Sequence, residues 1–394
     1  MIFQKRVVLL LVALLATVGV NQTFSQTAVI QGQDTTQRVI STAVPFLGIT
    51  PDARAAGMGD VGVATTADPN SIYWNAAKLP FAEDKIGVSL SFTPWLRKLV
   101  NDMSLSYLSA YYQLDDKQAF AFGLRYFNLG SIQFTDDQGG IIRDFTPNEL
   151  AATITYARKL SEKMGVAISG RYIHSNLSAD LILSNQQETK AGNSAAADIS
   201  VYYKTPLTVS GLESELAFGA NISNIGAKIS YTNANERDFL PANLRIGTAF
   251  TTSIDEFNKF TLGLDINKLM VPTPPQVDSQ GNIISGTNPR DQTLLSGTFG
   301  SFADAPGGFS EELKEFILAI GVEYWYNNLF AARAGYYNEH AEKGDRKYFT
   351  VGVGLRYKLL GFDAAYLLPQ KQTNPLAETL RFTLLFKLGD KDKK

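Results

Sequence analysis

Phe349-Thr350-Val351-Gly352-Val353-Gly354-Leu355-Arg356-Tyr357 alternates apolar residues with small, polar or charged ones without a break. Successive side chains of a strand point to opposite faces, so this stretch has one greasy face and one wet face. The same period recurs on either side. Phe260, Leu262, Leu264 and Ile266 alternate with Thr261, Gly263, Asp265 and Asn267, and Leu380, Phe382, Leu384 and Phe386 alternate with Arg381, Thr383, Leu385 and Lys387. Fourteen segments read this way: 85–96, 103–113, 118–130, 149–160, 163–176, 194–205, 214–225, 241–252, 258–268, 314–325, 328–340, 345–357, 360–368 and 378–388. Strands of soluble proteins average about 5–6 residues, whereas a tilted strand crossing a bilayer needs about 9–11. The segment lengths predict a membrane.

The connections sharpen that reading. Those after the even-numbered segments are short, as in Leu114 to Lys117, Ser161-Glu162, Ile254 to Phe257 and Lys358-Leu359, with eight residues (Pro206 to Glu213) after the sixth. The odd-numbered ones are generally long, including 131–148, 177–193, 226–240 and 269–313. Tight turns alternating with long loops mark outer-membrane barrels, whose turns face the periplasm and whose loops face outward. Lipid cannot satisfy a free strand edge, so a spanning sheet must close on itself. The fold class expected is therefore all-β: a fourteen-stranded antiparallel transmembrane β-barrel. A soluble sandwich would also show period two, but not Tyr and Trp at segment ends (Tyr111-Tyr112, Tyr324-Trp325-Tyr326, Tyr336-Tyr337), where aromatic girdles are expected.

Residues 1–25 read as a secretory signal: Lys5-Arg6, an apolar run from Val7 to Val20, then Thr23-Phe24-Ser25 as a cleavage site. That run is too short to span a bilayer as a helix. Lys and Arg number 36 against 38 Asp and Glu, so no basic stripe suggests a nucleic-acid partner. There is no Cys, which excludes disulfides, thiol nucleophiles and Cys-based metal sites, and two His make a multi-histidine zinc site improbable. His174 and Ser175 are neighbours on a strand and point to opposite faces, which rules out a shared hydrolase site there. His340 reads as surface. Asp115-Asp116, Asp136-Asp137 and Glu311-Glu312 fall in connections and read as solvated turn or helix-start residues. No enzyme activity and no cofactor are expected.

On this register Arg125, Arg171, Lys204, Arg245, Arg333, Arg356 and Arg381 face the lumen with Asp198, Asp265, Glu323 and Asp363. They are expected to pair with one another and with a plug. An anion-selective pore would need an open lumen, and segment 26–84 argues against one. It lacks long alternation and is dense in Gly, Ala, Pro and Asp. Gly57, Gly59 and Gly62 fit a dinucleotide-binding pattern, but no strand precedes them and no βαβ unit follows. Small residues that let a segment pack against the barrel wall explain them better. The domains expected are a signal peptide (1–25), a plug (26–84), the barrel (85–388) and a charged tail (389–394).

The stretch DARAAGMGDVGVATTADPNSIYWNAAKLPF (Asp52 to Phe81) resembles the N-terminal hatch of FadL-like outer-membrane barrels. Within that superfamily it is most similar to the PorV (LptO) proteins of the type IX secretion system of Bacteroidetes. The resemblance is carried by Gly57-Met58-Gly59-Asp60, Ser71-Ile72-Tyr73-Trp74-Asn75 and Ala77-Lys78, with Asn75-Ala76-Ala77 where the superfamily often has Asn-Pro-Ala. It implies a plugged barrel integral to the outer membrane that binds the C-terminal signal domains of cargo leaving the outer-membrane translocon. It further implies delivery to a surface attachment complex with a sortase-like peptidase. The alternative it leaves is a FadL-like transporter of hydrophobic small molecules such as fatty acids.

Partner contacts are expected on the long loops, since binding is built on loops that a rigid scaffold holds. Phe134, Ile141, Ile142 and Phe145 in one, and Leu181, Ile182 and Leu183 in another, are apolar residues at loop tips. The 45-residue connection 269–313 carries Pro274, Pro275 and Phe309, and Ser310 is the expected cap of a short helix there.

Overall fold

A computed structural model describes residues 38–96, 102–135, 138, 140–177, 189–232, 237–278, 280, 282–370 and 379–390. The signal segment, Leu181, Ile182, Leu183, the side chain of Ile142 and the last four residues lie outside the described residues.

Residues 38–83 carry only short helical pieces: 3-10 turns at Pro45–Gly48 and Ala76–Phe81, and helices α1 (Ala53–Gly57) and α2 (Ser71–Trp74). The strands follow: β1 (Asp84–Pro94), β2 (Met103–Gln113), β3 (Gln118–Leu129), β4 (Ile132–Thr135), β5 (Ile141–Phe145), β6 (Asn148–Lys159) and β7 (Met164–Asn176). Next come β8 (Gly192–Val209), β9 (Leu212–Gly226), β10 (Asn243–Ser253), β11 (Asn258–Leu269), β12 (Gln276–Val277) and β13 (Ile283–Ser285). Helices α3 (Leu294–Gly300) and α4 (Phe309–Glu312) precede β14 (Phe316–Tyr326), β15 (Phe330–Asn338), β16 (Lys347–Tyr357), β17 (Leu360–Pro369) and β18 (Leu380–Asp390).

Fourteen of these strands close into a barrel in the order β1-β18-β17-β16-β15-β14-β11-β10-β9-β8-β7-β6-β3-β2, and β1 pairs antiparallel with β18. The pairs β4–β5 and β12–β13 are separate two-stranded ribbons inside the long connections. On β16 Phe349, Val351, Val353 and Leu355 face out, while Tyr348, Thr350, Gly352 and Gly354 are buried. Each of the fourteen wall strands carries at least one exposed large apolar side chain. Such a band would cost roughly 25 cal/mol per Å² in water and is at rest in lipid. The chain is an outer-membrane barrel.

Two details differ from the sequence reading. The eight-residue connection expected at 206–213 is a two-residue turn, Ser210-Gly211, with φ of 51° and 81°. Strand β8 outruns β7, whose pairing ends at Tyr203, so Pro206 bonds only toward β9 and its missing N–H leaves no gap in the wall. The aromatic girdle is also thinner than expected. Tyr112, Tyr324 and Tyr326 are exposed, but Tyr111 and Tyr337 are buried inside, and the Trp325 ring lies against Arg333 and Arg356.

The short turns fall at one end, which is periplasmic in barrels of this kind, and the long connections at the other. Residues 38–83 lie within the ring. They bond to Ser109 and Gln113 on β2, Arg125 on β3, Ser200 on β8, Asp265 on β11, Glu323 on β14, Thr350 on β16 and Thr383 on β18. Partners around the whole circumference define a plug.

Candidate functional site

The plug is built from small residues because the wall leaves little room. Asp52 starts α1 by accepting from Ala55 N at 3.0 Å, and it also accepts from Trp74 Nε1 at 2.7 Å. The helix ends at Gly57-Met58-Gly59-Asp60, where Gly59 and Asp60 take left-handed φ of 70° and 66°. Here the backbone lies on wall glycines. A Cβ on Gly335 would sit 2.1 Å from Gly59 N, and one on Gly321 would sit 2.2 Å from the Met58 carbonyl oxygen. Asn75 caps the next turn by accepting from Ala77 N at 3.1 Å and donates to the Val63 and Val201 carbonyls, so the turn forms without the proline.

Charge fills the middle of the lumen. Arg54 bonds Glu323 at 2.8 Å, Glu323 accepts from Arg333 at 2.7 Å, and Arg333 reaches Asp363 at 2.9 Å, which also holds Arg356 at 2.8 Å. Asp265 accepts from Gly62 N and Val63 N at 2.8 and 2.9 Å. Lys78 donates to the Gly62 carbonyl at 2.6 Å, and burial pulls its ammonium pKa down to about 8. Burial, with Asp68 nearby, pushes the Asp52 carboxyl up to about 6. Arg125 donates to the Phe46, Leu47 and Ile49 carbonyls at 2.8, 2.9 and 2.5 Å, and its guanidinium lies 4.8 Å from the Tyr73 ring centroid. Arg245 bonds Asn267 and lies 4.5 Å from the Trp74 ring centroid. Arg171 pairs with Asp198 at 2.7 Å, and Arg381 stands 3.9 Å from Asp60, which accepts from the Tyr348 hydroxyl.

Lys204 pairs with Glu215 at 2.8 Å, so every lumen position read from the sequence has a partner. Their partners on the plug, Arg54, Asp60 and the backbone of residues 46–63, were not paired with them in advance. A cavity of ≈ 580 Å³ remains between the plug and the periplasmic turns, lined by Arg54, Asp68, Lys204, Glu215, Glu323 and Arg356 among others.

Among the described residues the extracellular rim is folded as well, and Glu311 and Glu312, expected to be solvated, are buried there because lysines and an arginine pair with them. Glu311 takes Arg38 at 2.5 Å and Lys343 at 2.6 Å, while Glu315 takes Lys343 at 2.9 Å and Thr273 Oγ1 at 2.6 Å. Burial alone would push the Glu311 carboxyl up, but the Arg38 and Lys343 hydrogen bonds outweigh it and hold it at about 2. Of the loop residues singled out, Phe134 and Phe145 pack on each other across the β4–β5 ribbon, and Ile141 is exposed beside them. Pro274 and Pro275 are half-buried and Phe309 is 77% exposed. Ser310 is not the cap. Gly308 precedes α4, and Ser310 bonds back to the Gly307 carbonyl. His340 is half-buried and caps the 3-10 turn Ala341–Lys343 by accepting from Glu342 N.

A closed barrel with a filled lumen defines a plugged outer-membrane protein. The family model described as type IX secretion system protein PorV matches residues 32–276, well over half of the chain. The chain belongs to the PorV family, a family of secretion proteins. Several solved barrels are similar in outline. The toluene transporter TbuX of Ralstonia pickettii is 13% identical with a TM-score of 0.48, covering 86% of this chain and 98% of that one. The Pseudomonas putida toluene transporter TodX is 14% identical with a TM-score of 0.46, covering 86% and 99%. A Pseudomonas aeruginosa FadL homologue is 10% identical with a TM-score of 0.43, covering 89% and 99%. No curated protein matches the chain.

Proposed function

We propose that this barrel binds the C-terminal signal domains of secreted cargo at the exit of the outer-membrane translocon and carries them to the surface attachment complex with its sortase-like peptidase. Membership of the PorV family is the observation that carries this reading. The geometry supports it. Ion pairs and plug backbone fill the lumen, so the barrel acts as a lipid-embedded platform and the work falls to its extracellular loops. Phe134, Ile141 and Phe145 on the β4–β5 ribbon, with Pro274 and Pro275 on the long connection, are the contact residues proposed. An apolar solute would meet charge in the ≈ 580 Å³ cavity, which disfavours a fatty-acid transporter.

Deletion of the gene is predicted to leave proteins bearing the C-terminal signal domain inside the cell or at the translocon, read by immunoblot of cell and culture fractions. Normal release of that cargo from the deletion strain would overturn the proposal.

A further inference from the structure

Two consecutive helical stretches on the rim are inside out. Helix α3 buries Gly297, Thr298 and Ser301, with Gly297 against Phe239 and Pro272, and turns Leu295 and Phe299 to the outside at 63% and 55% exposure. The helical stretch 309–315 does the same, since Glu311, Glu312 and Glu315 are buried in ion pairs while Phe309 and Leu313 are exposed. A helix that faces water shows the opposite arrangement.

The wall shows where this surface lies. Lys268 pairs across from Phe316, and the alternation along β11 and β14 places both on the outer face with Ile266 and Leu318. Yet Lys268 is only 1% exposed. The connection folds over the outside of the wall there and supplies Glu312 and Glu315 to its ammonium at 3.2 and 2.5 Å. The Phe302 and Phe316 rings lie 5.5 and 5.6 Å from that ammonium. Through Phe316 and Leu318 the apolar surface of the connection runs on into the lipid-facing band.

We propose that residues 294–316 form a shoulder bedded in the outer leaflet, with Leu295, Phe299, Phe309 and Leu313 at the boundary between acyl chains and headgroups. Continuity with the lipid band selects lipid as the occupant. Glu312 and Glu315 pair with Lys268, and Glu342 pairs with Lys314, so neither ammonium is stranded at that depth. An amphipathic segment lying in the interface plane buries its apolar face in this way.

The chain has no Cys, so a single substitution gives a single label. Leu295→Cys, Phe299→Cys and Phe309→Cys would each carry a bimane fluorophore in full-length protein, purified alone into phospholipid nanodiscs. Ile320→Cys marks the lipid band, Thr146→Cys marks exposed loop, and fast migration of unheated samples on SDS gels shows that each variant is folded. Lipids with a doxyl group high on the acyl chain should quench the three shoulder sites as they quench Ile320→Cys, and aqueous iodide should leave them bright. Iodide quenching equal to that at Thr146→Cys, without doxyl quenching, would overturn the proposal. So would iodide access that is lost only when membrane extract containing the translocon is added, because the occupant would then be protein.

Discussion

At the scale of single residues, the lumen is held by charges that cannot be removed one at a time. Glu323 sits between Arg54 and Arg333 and is nearly fully buried. Glu323→Gln leaves two guanidiniums facing each other, and breaking a buried pair on one side costs about 3–5 kcal/mol. We predict a lowered urea unfolding midpoint in detergent; an unchanged midpoint would show the network to be idle. Asp52 gives the opposite sign. Burial raises its carboxyl from an ordinary 3.8 to about 6, so the folded chain keeps a proton that the unfolded chain has shed. Its contribution to stability is present at low pH and is lost as pH rises from about 4 to about 6. Asp52→Asn is predicted to flatten stability across that window, and tryptophan-monitored unfolding at several pH values reads it. A slope equal to wild type would sink the assignment. These pairings were only half legible in the sequence. Alternation named the wall partners, but Arg54 and Glu323 are 269 residues apart and no period links them.

At the scale of elements, the wall was almost wholly legible, because a strand with lipid on one face and a packed polar lumen on the other writes its environment into every second residue. All fourteen segments form strands within a few residues of their expected limits. The ribbons β4–β5 and β12–β13 and helix α3 were not foreseen, whereas the short helix expected near Ser310 is α4, capped two residues earlier by Gly308. Short pieces packed on a wall carry no sustained period, and α3 inverts the pattern a reader looks for. Pro206 misled for a related reason: its missing N–H matters only where a second neighbour is present. Where plug meets wall, the contact is backbone on glycine, so small additions should be felt. Gly335→Val would drive a side chain into the Met58–Gly59 backbone. Overpacking of this kind costs about 1–3 kcal/mol or more. A lower thermal unfolding temperature than wild type is predicted, and no change would mean that the plug simply shifts aside.

At the scale of the whole molecule, the barrel is a sealed body rather than a pipe. The plug bonds to strands on every side of the ring, and the salt-bridged centre leaves its open volume toward the periplasmic turns. Full-length protein in planar bilayers is therefore predicted to show no large stepwise conductance. Porin-like steps from the wild-type chain would contradict the filled centre. The path of the plug adds a constraint on how the protein is made. Arg38 is tied to the outer rim through Glu311, whereas the Leu79 and Ala82 carbonyls accept from Gln113 beside the periplasmic turns. The polypeptide thus passes lengthwise through a hoop whose seam, β1 against β18, joins the segment following the plug to the wall strand farthest along the chain. Because that seam pairs the first wall strand with the one farthest from it in sequence, closing the hoop around the thread is the least local step in building the wall, and its chain entropy falls due before any contact repays it.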